Sequence, residues 1–390
     1  MWSGRERSPT VTVATAAKIA LVLSLAVILL GSVRFGRIDW TGIPFERNTE
    51  TVERVVSDDC TEVIRPYRTE GGRVIEPVTV DEQQYLSLVA YFRGTPRSEL
   101  HVTCLLDPFA GRPAIPWLAS WLPFDEGVSI GLVNLSMVLL GTWATVFALR
   151  SQGFSGRVVA LVAALFAVGW NTLFFSSAIL VDAGAVGLTA LSWYLLASRR
   201  PWLVWPVLLV SYPFKETVAL VVLPVMAAWA WGEHRSGRLS GAAAGWPTLA
   251  AAVAAGCSVV SSRLLFLSAD ATWELAPNVG TFVDNVSDPI GIASFLLATL
   301  WLFVPALLVV GQRIREAGWK QTALDPAVVG IAMTGALCLW VTPAADLSPR
   351  FAWLGFPFAA SLAAVWFSEG RPQKWLDGLH LPPRLSAQLD

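Results

Sequence analysis

Apolar runs that meet or approach the length needed to cross a bilayer alternate along this chain with short polar connections. About 20 apolar residues span the ~30 Å hydrocarbon core. The runs fall at approximately 11–33, 127–149, 157–176, 180–198, 201–214, 217–232, 241–263, 289–311, 324–342 and 350–368. The pattern predicts an all-α polytopic integral membrane protein with about ten transmembrane helices. The first run follows Arg5 and Arg7 and contains Lys18. It is long, and no small-x-small cleavage site follows Val33, so a retained signal anchor is favoured over a cleaved signal peptide. The fifth run, Pro201 to Phe214, rises only about 21 Å and falls short of a full crossing.

One long segment, 34–126, interrupts the alternation. Its first part, 34–78, is polar, charged and β-branched without a clear period, which predicts an irregular or short-stranded insertion. From Asp81 to Phe92 the period changes. Tyr85, Leu88, Val89 and Phe92 stand at i, i+3, i+4 and i+7, the spacing of an amphipathic helix. Asp81 and Glu82 begin it, where carboxylates suit the helix dipole, and Gly94 and Pro96 end it. A second short helix fits Arg112-Pro113 through Trp121, with Pro113 in its first turn and Trp117 and Trp121 as interfacial aromatics. Both helices are expected on the outer membrane face between spans one and two. The organisation is then a cytoplasmic N-terminus and first span (1–33), an extracytoplasmic loop (34–126), a nine-span bundle (127–368) and a cytoplasmic tail (369–390).

Composition narrows the class. Hydrophobic residues make up 54% of the chain, charged residues 15%, and the mean hydropathy is +0.56. Soluble domains carry about 25% charge, so a cytosolic enzyme, a nucleic-acid binder and a disordered chain are excluded. The net charge of −1 implies no global electrostatic partner. The distribution of Lys and Arg is more telling. With the N-terminus in the cytoplasm, the cytoplasmic connections hold Arg5, Arg7, Arg150, Arg157, Arg199, Arg200, Arg235, Arg238, Arg313, Arg315, Lys320, Arg371, Lys374 and Arg384, whereas the short outer connections hold only Lys215, Arg263 and Arg350. Every short connection agrees with one orientation in the cell membrane, with both termini inside. Cys60 and Cys104 lie in the outer loop, where a disulfide between them is chemically permitted. Cys257 and Cys338 lie in spans.

The same map gathers ionisable residues at the outer face. Asp182 stands at the start of span four, Lys215-Glu216 between spans five and six, and Arg350 at the start of span ten. Charge inside a membrane is costly and is either paired or functional. Asp81, Glu82, Arg112, Asp182, Lys215 and Arg350 therefore share one side, with two readings open. They are mutually neutralising structural pairs, as Asp182 with Lys215, or they handle an anionic, lipid-linked substrate.

Asp81-Glu82-x-x-Tyr85-x-x-x-x-Ala90 resembles the segment after the first span in the GT-C glycosyltransferases. The nearest branches are the protein O-mannosyltransferase-like and aminoarabinose-transferase-like ones. The later landmarks follow in order: Arg112-Pro113 before an apolar helix, Asp182 at the outer start of a span, Lys215-Glu216-Thr217 before another, and Arg350-Phe351 opening an apolar run with Pro357. Arg112 stands where the aminoarabinose branch usually has Lys, and the insertion 34–78 sets Asp81 farther from span one than is usual. The resemblance runs from about 79 to 368. It implies transfer of a sugar from a polyprenyl-phosphate donor to an acceptor hydroxyl on a lipid, glycan or protein of the cell envelope.

In that chemistry Asp81 is the expected general base, and Glu82 either orients it or joins it in holding a divalent cation. Asp182 is the third catalytic candidate, and Arg112, Lys215, Arg350 and Tyr85 are the candidate donor-binding residues. The alternative class is a non-catalytic transporter or scaffold of an envelope glycan or lipid pathway. A transporter would be expected to show internal repeats and charges near the midplane, and neither is evident. An acyltransferase has only His101 as a candidate histidine in the outer loop.

Overall fold

The structure, a computed structural model, describes residues 11–35, 52–57, 60–64, 67–68, 74–75, 80–100, 102, 104–266, 268–272, 277–345 and 348–369. The tail beyond Glu369, His101 and the side chain of Cys60 lie outside the described residues. The described residues are mostly helical. Helix α1 (Val13–Phe35) is followed, in the insertion, by an antiparallel pair of short strands, β1 (Val52–Ser57) and β2 (Cys60–Ile64), and a smaller pair, β3 (Tyr67–Arg68) and β4 (Val74–Ile75). Helix α2 (Val80–Phe92), strand β5 (Leu106–Asp107) and α3 (Ala114–Ser120) complete the segment between α1 and the bundle.

The bundle begins with α4 (Glu126–Ser151), whose Asp125 cap accepts a hydrogen bond from the Val128 N–H at 2.9 Å, satisfying one of the orphan donors of the first turn. The third apolar run is broken into α5 (Gly156–Ala167) and α6 (Trp170–Phe175), and the Thr172 hydroxyl donates to the freed Phe166 carbonyl at 3.2 Å. Next come α7 (Asp182–Ala197), then α8 (Val204–Leu209) and α9 (Ser211–Phe214), the pieces into which Pro201, Pro206 and Pro213 divide the fifth run. Proline removes a backbone donor and clashes with the preceding turn. The remaining long helices are α10 (Thr217–Arg235), α11 (Gly241–Leu265) and, after β6 (Ala271–Thr272) and α12 (Val279–Ser287), α13 (Pro289–Ala317). The chain ends with α14 (Trp319–Thr322), α15 (Pro326–Val341), α16 (Pro349–Ala352) and α17 (Phe356–Ser368).

Six of these segments are long and apolar enough to cross a membrane: Val13–Ser32, Glu126–Ser151, Thr217–Arg235, Gly241–Leu265, Pro289–Ala317 and Pro349–Ser368. The chain is thus a multi-pass helical protein of membrane character. Its tightest helix pair is α4 with α7. Gly187 lies so close to α4 that a Cβ there would sit 2.6 Å from the Met137 carbonyl oxygen, and a Cβ on Gly141 would sit 3.5 Å from the Gly187 Cα. Small residues allow such approach of helix backbones in lipid, where packing replaces the hydrophobic effect as the driving force.

Helix α2 forms where the sequence predicts it, but it does not lie on a membrane face with one side in water. Residues 82–90 are buried all round. Its polar side is covered by the following chain: Gln84 donates to the Cys104 carbonyl at 2.9 Å and accepts from the Leu106 N–H at 3.1 Å, and Ser87 accepts from the Val102 N–H at 3.1 Å. Polar side chains that satisfy a passing backbone can be buried without penalty, which apolar periodicity does not reveal.

The connections sort into two ends. At one, β5 pairs in parallel with β6, and Asp270 accepts from Arg97 and the Leu105 N–H, both at 2.9 Å. At that end also, Asn285 donates to the Thr342 and Ala345 carbonyls at 2.6 and 2.7 Å. At the other end the turns after α4, α7, α10, α13 and α17 line one cleft.

Candidate functional site

The residues singled out by sequence converge where α2, α3, α7, α9 and α16 meet. Asp182 is the first residue of α7, where a carboxylate is favoured by the helix dipole. The segment before it is fixed by Asn134, whose amide donates to the Ala178 and Leu180 carbonyls at 2.7 and 2.6 Å. Two residues on, Gly184 presents no side chain. A Cβ there would stand 2.7 Å from Phe214 and 3.1 Å from Ile115. The missing methyl lets α3 and α9 close on the start of α7. Arg112 precedes α3 and Lys215 follows α9, so this one close approach carries both cations toward Asp182.

Lys215 forms an ion pair with Asp182; the two side chains are 4% and 6% exposed. Arg350, the second residue of α16, donates to Asp81 at 3.0 Å and lies 3.9 Å from the other oxygen of Asp182. Asp81 and Asp182, about a hundred residues apart in sequence, thus meet on one guanidinium. Phe351 lies beneath both cations, with the Lys215 Nζ 5.1 Å and the Arg350 guanidinium 5.0 Å from its ring centre, within the range of cation–π attraction. Arg112 grips Glu216 with both arms of its fork, the Nε contact at 2.8 Å, and hydrogen-bonds to Tyr85. Tyr85 is fully buried and packs edge-on against Phe109 at 5.6 Å.

The named groups balance: Asp81, Asp182 and Glu216 against Arg112, Lys215 and Arg350. Burial alone would raise the Glu216 carboxyl, but the Arg112 guanidinium holds it below the usual carboxylate range. Burial likewise opposes the charge on Arg112, and Glu216 and Tyr85 outweigh it, so Arg112 stays protonated at every accessible pH. Burial pushes the Tyr85 phenol far above its ordinary value, against the pull of Arg112. Two buried donors one turn apart, Arg350 Nε and Trp353 Nε1, have no hydrogen-bond partner among the described residues.

The structure brings Asp81, Asp182, Lys215 and Arg350 together, with Arg112 and Tyr85 adjoining through Glu216. The Asp182–Lys215 pair foreseen from the sequence forms. Glu82 is buried and engaged in interactions of its own. Asp81 and Glu82 stand side by side in the first turn of α2, with Asp81 facing Arg350; among the described residues no three His, Cys, Asp or Glu side chains converge, whereas a Mg2+ ion is commonly held by one or two carboxylates together with substrate phosphates. Cys104 is disulfide-bonded, and Cys257 and Cys338 are free. Sequence reasoning missed Glu216 as the partner of Arg112 and Phe351 as the shelf under two cations. Both signals were present: an acid directly after a lysine in a short connection between apolar runs, and an aromatic directly after Arg350.

Comparison with protein-family models, with curated proteins and with solved structures finds no match to this chain.

Proposed function

We propose that the protein is a membrane glycosyltransferase of GT-C type. It moves a sugar from a polyprenyl-phosphate donor to an acceptor hydroxyl at the extracytoplasmic face, with ten spans and both termini in the cytoplasm. The observation that carries this reading is the meeting of Asp81, Asp182 and Arg350, with Lys215 behind them, at one end of an apolar helical bundle. Placement at helix ends, away from the middle of the bundle, favours an interfacial reaction over transport.

Transfer breaks the bond between the sugar C1 and the phosphate oxygen and forms one between C1 and the acceptor oxygen. The acceptor proton needs a base and the departing phosphate needs cations. Asp81 is the base, held in place by its ion pair with Arg350. Arg350 also carries the unused Nε donor, so a donor phosphate that draws the guanidinium toward itself loosens its hold on Asp81 as it binds. Donor binding and release of the base are then one event, which protects the site from reacting without a donor. Arg112, partly accessible through the 33%-exposed Glu216, is the second phosphate contact. Asp182 and Lys215, the most deeply buried pair, fix Arg350 from behind, and Tyr85 fixes Arg112. These three are positioning residues in this scheme. Loss of activity in excess chelator would assign Asp81 and Glu82 to a divalent cation held with the donor phosphate, and activity that persists would leave Glu82 to orient Asp81.

The test is incubation of the purified protein in nanodiscs with a panel of radiolabelled polyprenyl-phosphate sugars. Release of sugar, or its transfer to added envelope lipid, from at least one donor is expected. Inertness toward the whole panel, in protein shown to be folded, contradicts the proposal.

A further inference from the structure

At the end of the bundle opposite the ion cluster lies an open cleft of about 1820 Å³. Small-molecule pockets occupy roughly 300–1,000 Å³, so this space suits something larger. Its rim and floor differ in chemistry. Arg157, Arg199 and Arg235 stand at its rim on three separate turns and make no ion pair or hydrogen bond among the described residues, whereas Arg238 and Arg313 are taken up by Glu233 and Asp325 at 2.7 and 2.6 Å. The floor is apolar. Its exposed apolar side chains include Trp231, four residues inside the end of α10, and Leu161, five residues inside the start of α5, a depth of about 6–8 Å at the helical rise. That is the profile of an amphiphile with its head at the membrane surface and its chains in the hydrocarbon.

We infer that this cleft binds an anionic phospholipid, its phosphate held by Arg157, Arg199 and Arg235 and its acyl chains laid along Leu161 and Trp231. Basic pockets between transmembrane helices on the cytoplasmic side hold anionic headgroups in this way, and the Lys/Arg distribution assigns this end to the cytoplasm. The inference rests on the membrane reading but not on the sugar chemistry, and it stands or falls without any enzyme assay.

The experiment uses the full chain, stripped of lipid in detergent, with native mass spectrometry and thermal unfolding as readouts. Phosphatidylglycerol, phosphatidylcholine and inorganic phosphate are titrated in turn. Phosphatidylglycerol is expected to bind tightly and to raise the unfolding temperature, phosphatidylcholine to do so weakly, and inorganic phosphate not at all. A basic side chain near the surface is worth about fivefold in such binding, so Arg199→Gln/Arg235→Gln is expected to weaken phosphatidylglycerol binding about 25-fold. Arg263→Gln, at the other end of α11, leaves it unchanged and controls for net charge. Equal binding of the two lipids, equal protection by inorganic phosphate, or parental affinity in the double variant overturns the inference. If the double variant does not fold, Arg157→Gln alone carries the same comparison, with about a fivefold loss expected.

Discussion

At the scale of residues, burial decides what each charge is worth. Lys215 and Asp182 are buried together, and removing one partner of a buried pair costs roughly 3–5 kcal/mol because the other is left uncompensated. Arg350, 3.9 Å from Asp182, takes up part of that loss, so Lys215→Met is expected at the lower limit, about 3 kcal/mol. The double variant Asp182→Leu/Lys215→Met is expected to recover most of it. Denaturant unfolding of the two variants checks this, and a double variant no more stable than the single would show that pairing is not what the residues supply. Glu216 gives a pH signature. Its folded pKa lies below the ordinary 4.5, so the stability it contributes is present above about pH 4.5 and is lost as the pH falls through the folded value. The gap in unfolding temperature between the parent and Glu216→Gln should therefore close on acidification below pH 4.5 and stay constant from pH 6 to 8.

At the scale of elements, the site depends on how closely helices approach. Gly184 is the hinge of that argument, because Phe214 and Ile115 occupy the space a side chain would need. Gly184→Val overpacks this junction and is expected to cost about 1–3 kcal/mol. It should also displace Lys215 and Arg112 from Asp182, so that donor affinity falls even where the protein remains folded. Unchanged affinity in a folded Gly184→Val protein would contradict the link from packing to site. The sequence made the apolar helices legible, since a lipid-facing helix must be apolar whatever it packs against. It also set Asp81, Asp182, Lys215 and Arg350 on one side, because the alternation of apolar runs and connections decides which ends face together. The pairing within the cluster was hidden: Arg112 meets Glu216 only because α3 and α9 close on Gly184, a relation between surfaces distant in sequence. The burial of α2 was hidden for a similar reason. Gln84 and Ser87 look solvent-facing until the 102–106 segment covers them.

At the scale of the whole molecule, the two ends have opposite characters. One gathers balanced, buried ion pairs; the other has an open cleft with arginines at its rim that have no ion-pair partner among the described residues. This asymmetry accords with the proposed positive-inside orientation, which predicts a topology that can be read directly. In a protein whose native Cys257 and Cys338 are replaced, single cysteines placed in 277–288 are expected to react with an impermeant reagent from outside intact cells. Cysteines placed in 233–240 and 312–323 should react only after permeabilisation. Labelling of 233–240 from outside would invert the molecule and place the ion cluster where no extracytoplasmic transfer occurs. The proposed chemistry turns on the carboxylate of Asp81. Asp81→Asn keeps the shape of the side chain and a hydrogen bond to Arg350 but cannot accept a proton. Measured as turnover and donor affinity in one nanodisc preparation, it is expected to lower turnover by about 10²–10⁴-fold, the usual worth of a general base, while donor affinity stays within a few-fold of the parent. Near-parental turnover in folded Asp81→Asn would contradict the account.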